Sequence, residues 1–168
     1  PPRLAARLRR CPHERLGLGR ALVVEAHLRG ARVVATGRRP NLDTVELPDA
    51  AIRVAADLRD PDDCRRLVHE AAERLGGLDI VVNNAATLVC KPFVELELDD
   101  LQAAWEVNLR APVIIMQESF PYLREGTSPA IVNVVSTAGV NGGIATVSAY
   151  GMTKAGLIVV TKAVAREY

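Results

Sequence analysis

Apolar residues gather along this chain in short runs at 31–36, 52–55, 78–82 and 131–135, closed in turn by Gly37, Asp57, Asn83 and Ser136. Runs that are mostly apolar, broken only by Arg32, Arg53, Asp79 and Asn133 and not alternating at every second residue, predict strands covered on both faces, as in a parallel sheet. Between them the apolar spacing is helical. Gly17-Leu18-Gly19 opens a run of Ala21, Leu22, Val23, Val24, Ala26 and Leu28 that Gly30 closes. In the next helix Asp60 caps, Pro61 takes the first turn, Asp62 and Asp63 complement the dipole, and Gly76 stops it. Its buried face is Cys64, Leu67, Val68, Ala71 and Leu75, which makes Cys64 a core residue. Residues 97–124 read as largely helical, with Trp105 and Asn108 in the middle and Pro112 as a kink or join. This alternation predicts an α/β fold whose ligand site lies beyond the carboxyl ends of the strands.

The two ends fit this pattern poorly. Residues 1–11 lack β-branched side chains and carry four arginines, so they read as a short basic helix or tail and not as a buried strand. The helical pattern at the other end runs to Tyr168 with no closing Gly, Asn or Pro, and the chain opens with Pro, so it looks like a piece of something longer. The expected organisation is an atypical basic segment over 1–15 and a partial domain over 16–168.

Composition narrows the class. The 168 residues suit one domain with a real core. The net charge of +1 hides a basic amino end, since residues 1–39 hold ten of the eighteen arginines against Glu14 and Glu25. Arg20, Arg29 and Arg32 flank apolar positions and read as a solvated rim, so no nucleic-acid partner is expected. Cys11, Cys64 and Cys90 are odd in number and unpaired in spacing, which suits a reducing compartment; His13, His27 and His69 are scattered, so no metal site is expected. No apolar run reaches the roughly 18 residues of a membrane span, and the arginine-rich start lacks the apolar core of a secretory signal. The expectation is a soluble cytoplasmic protein.

The chemistry concentrates between Ser136 and Lys154. Tyr150 and Lys154 stand four apart and share a helix face, where a cation favours phenolate over phenol and lets the hydroxyl exchange a proton near neutral pH. A serine hydroxyl at a strand tip fourteen residues upstream can share the same substrate oxygen. The trio reads as an acid/base site for a carbonyl or alcohol.

With these residues in view, the chain resembles a short-chain dehydrogenase/reductase of the single-domain type over residues 16–168. Asn83-Asn84-Ala85-Ala86 resembles that family's Asn-Asn-Ala-Gly, and Asn108, Ser136, Tyr150 and Lys154 match its catalytic tetrad in order and spacing. The resemblance implies a Rossmann-like, doubly wound parallel sheet. It implies that Tyr150 is the general acid or base, Lys154 holds the nicotinamide ribose, Ser136 fixes the substrate carbonyl, and Asn108 positions a water linking Lys154 to solvent. Thr137 is the rival hydroxyl, but Ser136 stands three before Gly139, as in the family's Ser-x-Ala-Gly. Cofactor contacts fall on Gly17, Leu18, Gly19, Arg38, Asp57, Leu58, Asn84, Ala85, Tyr150 and Lys154. Arg38, with Arg39, follows Gly37 where NAD-dependent members place an acid, so NADP is expected, with NAD possible. The substrate is then a small ketone or secondary alcohol, and pairing into a homo-oligomer is expected through helices near 98–123 and 149–168.

The amino end departs from the family. Counting back from Gly17 and Gly19 puts Pro12 and His13 where Thr and the first Gly of the phosphate-binding turn belong. The first strand and the later carboxyl-terminal strands are expected to be missing, giving an incomplete sheet with a central gap. Two readings follow: an NADPH-dependent oxidoreductase, or a catalytically impaired fragment that keeps the family's association helices. With the first strand and half of the phosphate-binding turn absent, the chain as given is expected to fold marginally on its own, to bind NADP poorly and to turn over slowly or not at all despite an intact tetrad.

Overall fold

The four apolar runs form strands, and a fifth strand joins them. The computed structural model describes residues 2–7, 17–38 and 41–168, and of residues 5–7 the backbone alone. Its strands are β1 (Arg3–Arg7), β2 (Arg32–Gly37), β3 (Ile52–Ala55), β4 (Ile80–Asn83) and β5 (Ala130–Asn133), all parallel, in the order β3-β2-β1-β4-β5.

The central gap expected from the sequence is therefore filled, and residues 3–7 belong to the sheet rather than to a segment outside the domain. Arg3 to Arg7 pair with Arg32 to Thr36 on one side, and Leu4 to Ala6 with Ile80 to Val82 on the other. A parallel ladder uses only main-chain N–H and C=O, so burial between two strands overrides the poor strand propensity of Leu-Ala-Ala. The charge of Arg3 stays out of the apolar layer. Its main-chain N and its Nε donate to Asp79 Oδ2 at 2.8 and 3.0 Å, its Nη2 donates to Asp79 Oδ1 at 3.1 Å, and its Nη1 donates to the Gly76 carbonyl. Pro12 and His13 lie outside the described residues. On the β5 side the described residues supply no further strand.

Helices α1 (Leu18–Leu28), α2 (Asn41–Thr44), α3 (Pro61–Leu75), α4 (Leu98–Trp105), α5 (Ala111–Leu123), α6 (Ala138–Asn141) and α7 (Ser148–Glu167) complete the chain. The capping chemistry of α3 is as expected: the Asp60 side chain accepts from Asp62 N at 2.9 Å, and Gly76 stops the helix at a φ of 75°. Arg32 is more than a solvated rim, because its Nη1 and Nη2 donate to the last carbonyls of α3, Leu75 and Arg74, at 2.7 and 2.9 Å. Cys64 is fully buried, its Sγ 3.6 Å from the Leu58 carbonyl.

Alternation along the strands divides the core into two. Val34, Val54 and Val81 pack with α3 and α5 on one face; Val33, Ala35 and Val82 pack with Val23 of α1 and Leu42 of α2 on the other. Asn133 donates to Met116 of α5 and to Thr161 of α7, so those two helices share a face. Among the described residues no helix is long and apolar enough to cross a membrane.

Candidate active site

Three elements meet where β4 and β5 end. The first is a π segment, Glu106–Arg110, set between α4 and α5. Pro112, in the first turn of α5, has no N–H with which to give the Asn108 carbonyl its α-helical hydrogen bond, and the widened turn sits at that break. Fully buried, Asn108 accepts from Thr87 N at 2.6 Å and donates to the Thr87 carbonyl and to Thr153 Oγ1 at 2.9 and 3.1 Å. It thereby ties the segment after β4 to α7. Its side chain is engaged by Thr87 and Thr153.

The second element is the turn from β5 into α6. Half-buried Ser136 accepts at Oγ from Ala138 N at 3.2 Å, whereas Thr137 is exposed. Of the two hydroxyls, Ser136 is the one held by the turn.

The third element is α7. Lys154 is only 1% exposed, and its Nζ donates to the Val134 carbonyl, two residues before Ser136, at 2.6 Å. The same ammonium stands 5.8 Å from the centroid of the half-buried Tyr150 ring. Burying an ammonium is unfavourable without partners, so the residues around Val134 fix where this charge lies. Two glycines let α6 press against α7. A Cβ on Gly139 would stand 2.7 Å from Ala155 N, and one on Gly151 would stand 2.9 Å from the Ala138 carbonyl. Beneath, Asn83 Nδ2 donates to Asn133 Oδ1 at 2.8 Å, and Asn133 Nδ2 donates to Thr161 Oγ1 at 2.9 Å, linking β4, β5 and α7. Asn84 and Ala85 continue from β4, half-buried and buried respectively.

Some distance along the same sheet edge, Arg38, Asn41, Ala55, Ala56, Asp57, Arg59 and Asp63 line an open pocket of about 440 Å³. Arg38 is exposed after β2. The Asp57 carboxylate is clasped by Arg59, which pulls its pKa down to about 2, and the Asp57 main-chain N donates to Asp63 Oδ2 at 2.8 Å. Leu58 departs from the expected cofactor contact: its side chain is 2% exposed and belongs to the core. Gly17 caps α1, Leu18 is exposed and Gly19 is buried.

The model of the short chain dehydrogenase family matches residues 15–168. The chain belongs to the short-chain dehydrogenase family. A short chain dehydrogenase from Burkholderia cenocepacia, solved in complex with NADP, superposes with a TM-score of 0.84 at 30% identity, covering 99% of this chain and 68% of that one. An uncharacterized oxidoreductase of Staphylococcus aureus is 27% identical over 157 residues, 90% of this chain and 67% of that protein. A hydroxynaphthalene reductase-like protein of Metarhizium majus is 33% identical over 146 residues, 83% of this chain and 54% of that protein. The chain thus spans about half to two thirds of the length of these relatives. In this short-chain dehydrogenase the fold brings Asn108 and Lys154 to one region with Ser136 and Tyr150, and sets Arg38 and Asp57 together in a second. Thr87, Asn133, Thr153 and Thr161, which hold that first region together, carry no spacing signal in the sequence; only the helical step from Tyr150 to Thr153 and Lys154 marks one of them.

Proposed function

We propose that this chain is a reductase that prefers NADPH and acts on ketones, or on secondary alcohols in reverse, with Tyr150 as the general acid or base. The observation that carries the reading is the buried Lys154 ammonium held beside Tyr150 on α7, next to the Ser136 turn. The pocket by Arg38 fits the adenosine end of the cofactor. It offers a solvent-facing guanidinium for a 2′-phosphate and a carboxamide at Asn41, and its aspartate is already neutralised by Arg59. The N-terminus of α1 at Gly17 suits a pyrophosphate. NADPH, when bound, supplies a hydride to the carbonyl carbon.

The chain's own residues supply the rest. Ser136 Oγ accepts from Ala138 N through a lone pair and donates its proton to the substrate oxygen. Tyr150 gives its phenolic proton to that oxygen as charge develops there, and takes it back in the oxidative direction. Lys154, anchored at Val134, sets a fixed positive charge near the phenol and a donor for a ribose hydroxyl. Asn108 fixes α7 against the segment after β4, so that these groups keep their spacing. The Metarhizium relative, named as reductase-like, favours the reductive direction. Pairing with a second copy would use the faces of α4, α5 and α7, where Trp105 and Val159 are exposed.

Tyr150→Phe tests the mechanism, because it keeps the ring and removes the transferable proton. It should lower kcat by about a hundredfold or more with KM for NADPH within about twofold. Near-full turnover would refute the assignment.

A further inference from the structure

Two segments flank Tyr150. The first leaves β4 and is pinned twice, at Thr87 by the Asn108 side chain and at Lys91, whose N donates to the Thr146 carbonyl at 3.0 Å. The second comprises α6 and the turn after it, laid on the first turns of α7 at Gly139 and Gly151. Between them they carry Leu88, Val140 and Ile144, which are 51, 79 and 79% exposed, and Phe93 and Val94 follow close behind at 77 and 90%. Single exposed apolar side chains are ordinary. Five on two segments joined at Lys91 and Thr146, beside a small set of polar groups able to fix an oxygen, make an exposed apolar surface next to a polar anchor.

The charges point the same way. Across residues 84–98 and 136–149 the one cationic side chain is Lys91, and its Nζ is held by Asp100 at 2.6 Å. The other charged side chains there are Glu95 and Glu97, both exposed. A carboxylate or phosphate on the substrate would find no uncommitted cation in these walls, would meet two like charges, and would lose water against apolar side chains.

Resting on the reading of Ser136, Tyr150 and Lys154 above, we propose that the substrate is an uncharged ketone or secondary alcohol with an apolar body, selected by Leu88, Val140 and Ile144. Methyl 4-oxo-4-phenylbutanoate and the matching free acid differ in one negative charge and share the ketone. Each is titrated against the 168-residue chain saturated with oxidised NADP, and each is offered with NADPH. The ester should bind, and be consumed by kcat/KM, about tenfold better than the acid. Ile144→Lys should bring that ratio to about one or below, chiefly through KM, with NADPH affinity unchanged. Equal or better use of the acid, binding of neither compound, or a ratio that Ile144→Lys does not move would overturn the inference. Failure of the reductase reading itself looks different: NADPH is not consumed with either ketone, while the binding ratio still decides the question of charge.

Discussion

Asp79→Ala probes the strand that completes the sheet. Asp79 stands just before β4, with its side chain 5% exposed, and it accepts from Arg3 N, Arg3 Nε and Arg3 Nη2 at 2.8, 3.0 and 3.1 Å and from Thr127 N at 2.9 Å. One carboxylate thus joins β1 to the turn that leads into β5. Removing the carboxylate leaves the part-buried main-chain N–H groups of Arg3 and Thr127 without their acceptor, at about 1–3 kcal/mol each, whereas the partly exposed Arg3 side chain returns to water at little cost; the loss is about 3 kcal/mol. Against a typical stability of about 5–15 kcal/mol this is a large share. In urea, followed by far-UV circular dichroism, it should lower the midpoint by roughly 1–2 M at constant m. Arg3→Met in the same cycle should be non-additive with Asp79→Ala. The Arg3 hydrogen bond holds the Asp79 carboxyl well below its ordinary 3.8, so its contribution is complete above that value and is lost as pH falls through it towards the folded value. Wild-type stability should therefore decline from about pH 5 downward more steeply than that of Asp79→Ala. A change in stability under about 0.5 kcal/mol, or strict additivity with Arg3→Met, would show that β1 is not docked as described.

Two further substitutions test the site. Gly139→Ala places a methyl 2.7 Å from the main chain of Lys154 and Ala155; it should cost about 1–3 kcal/mol in urea and lower kcat by about tenfold or more, because α6 must lift from α7. Arg38→Ala should raise KM for NADPH more than KM for NADH, by a factor equivalent to about 1.5–3 kcal/mol of charge-assisted bonding to a 2′-phosphate; equal losses for both cofactors would leave Arg38 a rim residue.

What the sequence disclosed was local. The limits of α3 follow from Asp60, Pro61 and Gly76, whose roles are settled within a turn of the chain, and the Tyr150–Lys154 step is a helical period. β1 was not legible because its warrant is distant. Leu-Ala-Ala has no strand signature of its own, and the residue that accommodates the charge of Arg3 is Asp79, 76 positions away. Arg32 reads as a rim residue for the same reason, since the α3 carbonyls that it satisfies lie more than 40 positions on. The π segment had a visible cue, Pro112 four residues after Asn108, but its consequence for the Asn108 carbonyl emerges only once the segment is known to be helical on both sides. Leu58 follows Asp57 at a strand end, and an apolar side chain there turns as readily into the core as toward a cofactor.

If hydride and proton reach a carbonyl from NADPH and Tyr150 respectively, a label on the cofactor must appear in the alcohol. NADPH deuterated at the transferable position of the nicotinamide ring is incubated with the chain and an uncharged aryl ketone, and the alcohol is analysed by mass spectrometry and proton NMR. The wild-type product should carry one deuterium on the carbinol carbon, and Tyr150→Phe should form it about a hundredfold or more slowly. Unlabelled alcohol, or labelled alcohol formed equally fast by Tyr150→Phe, would contradict that route.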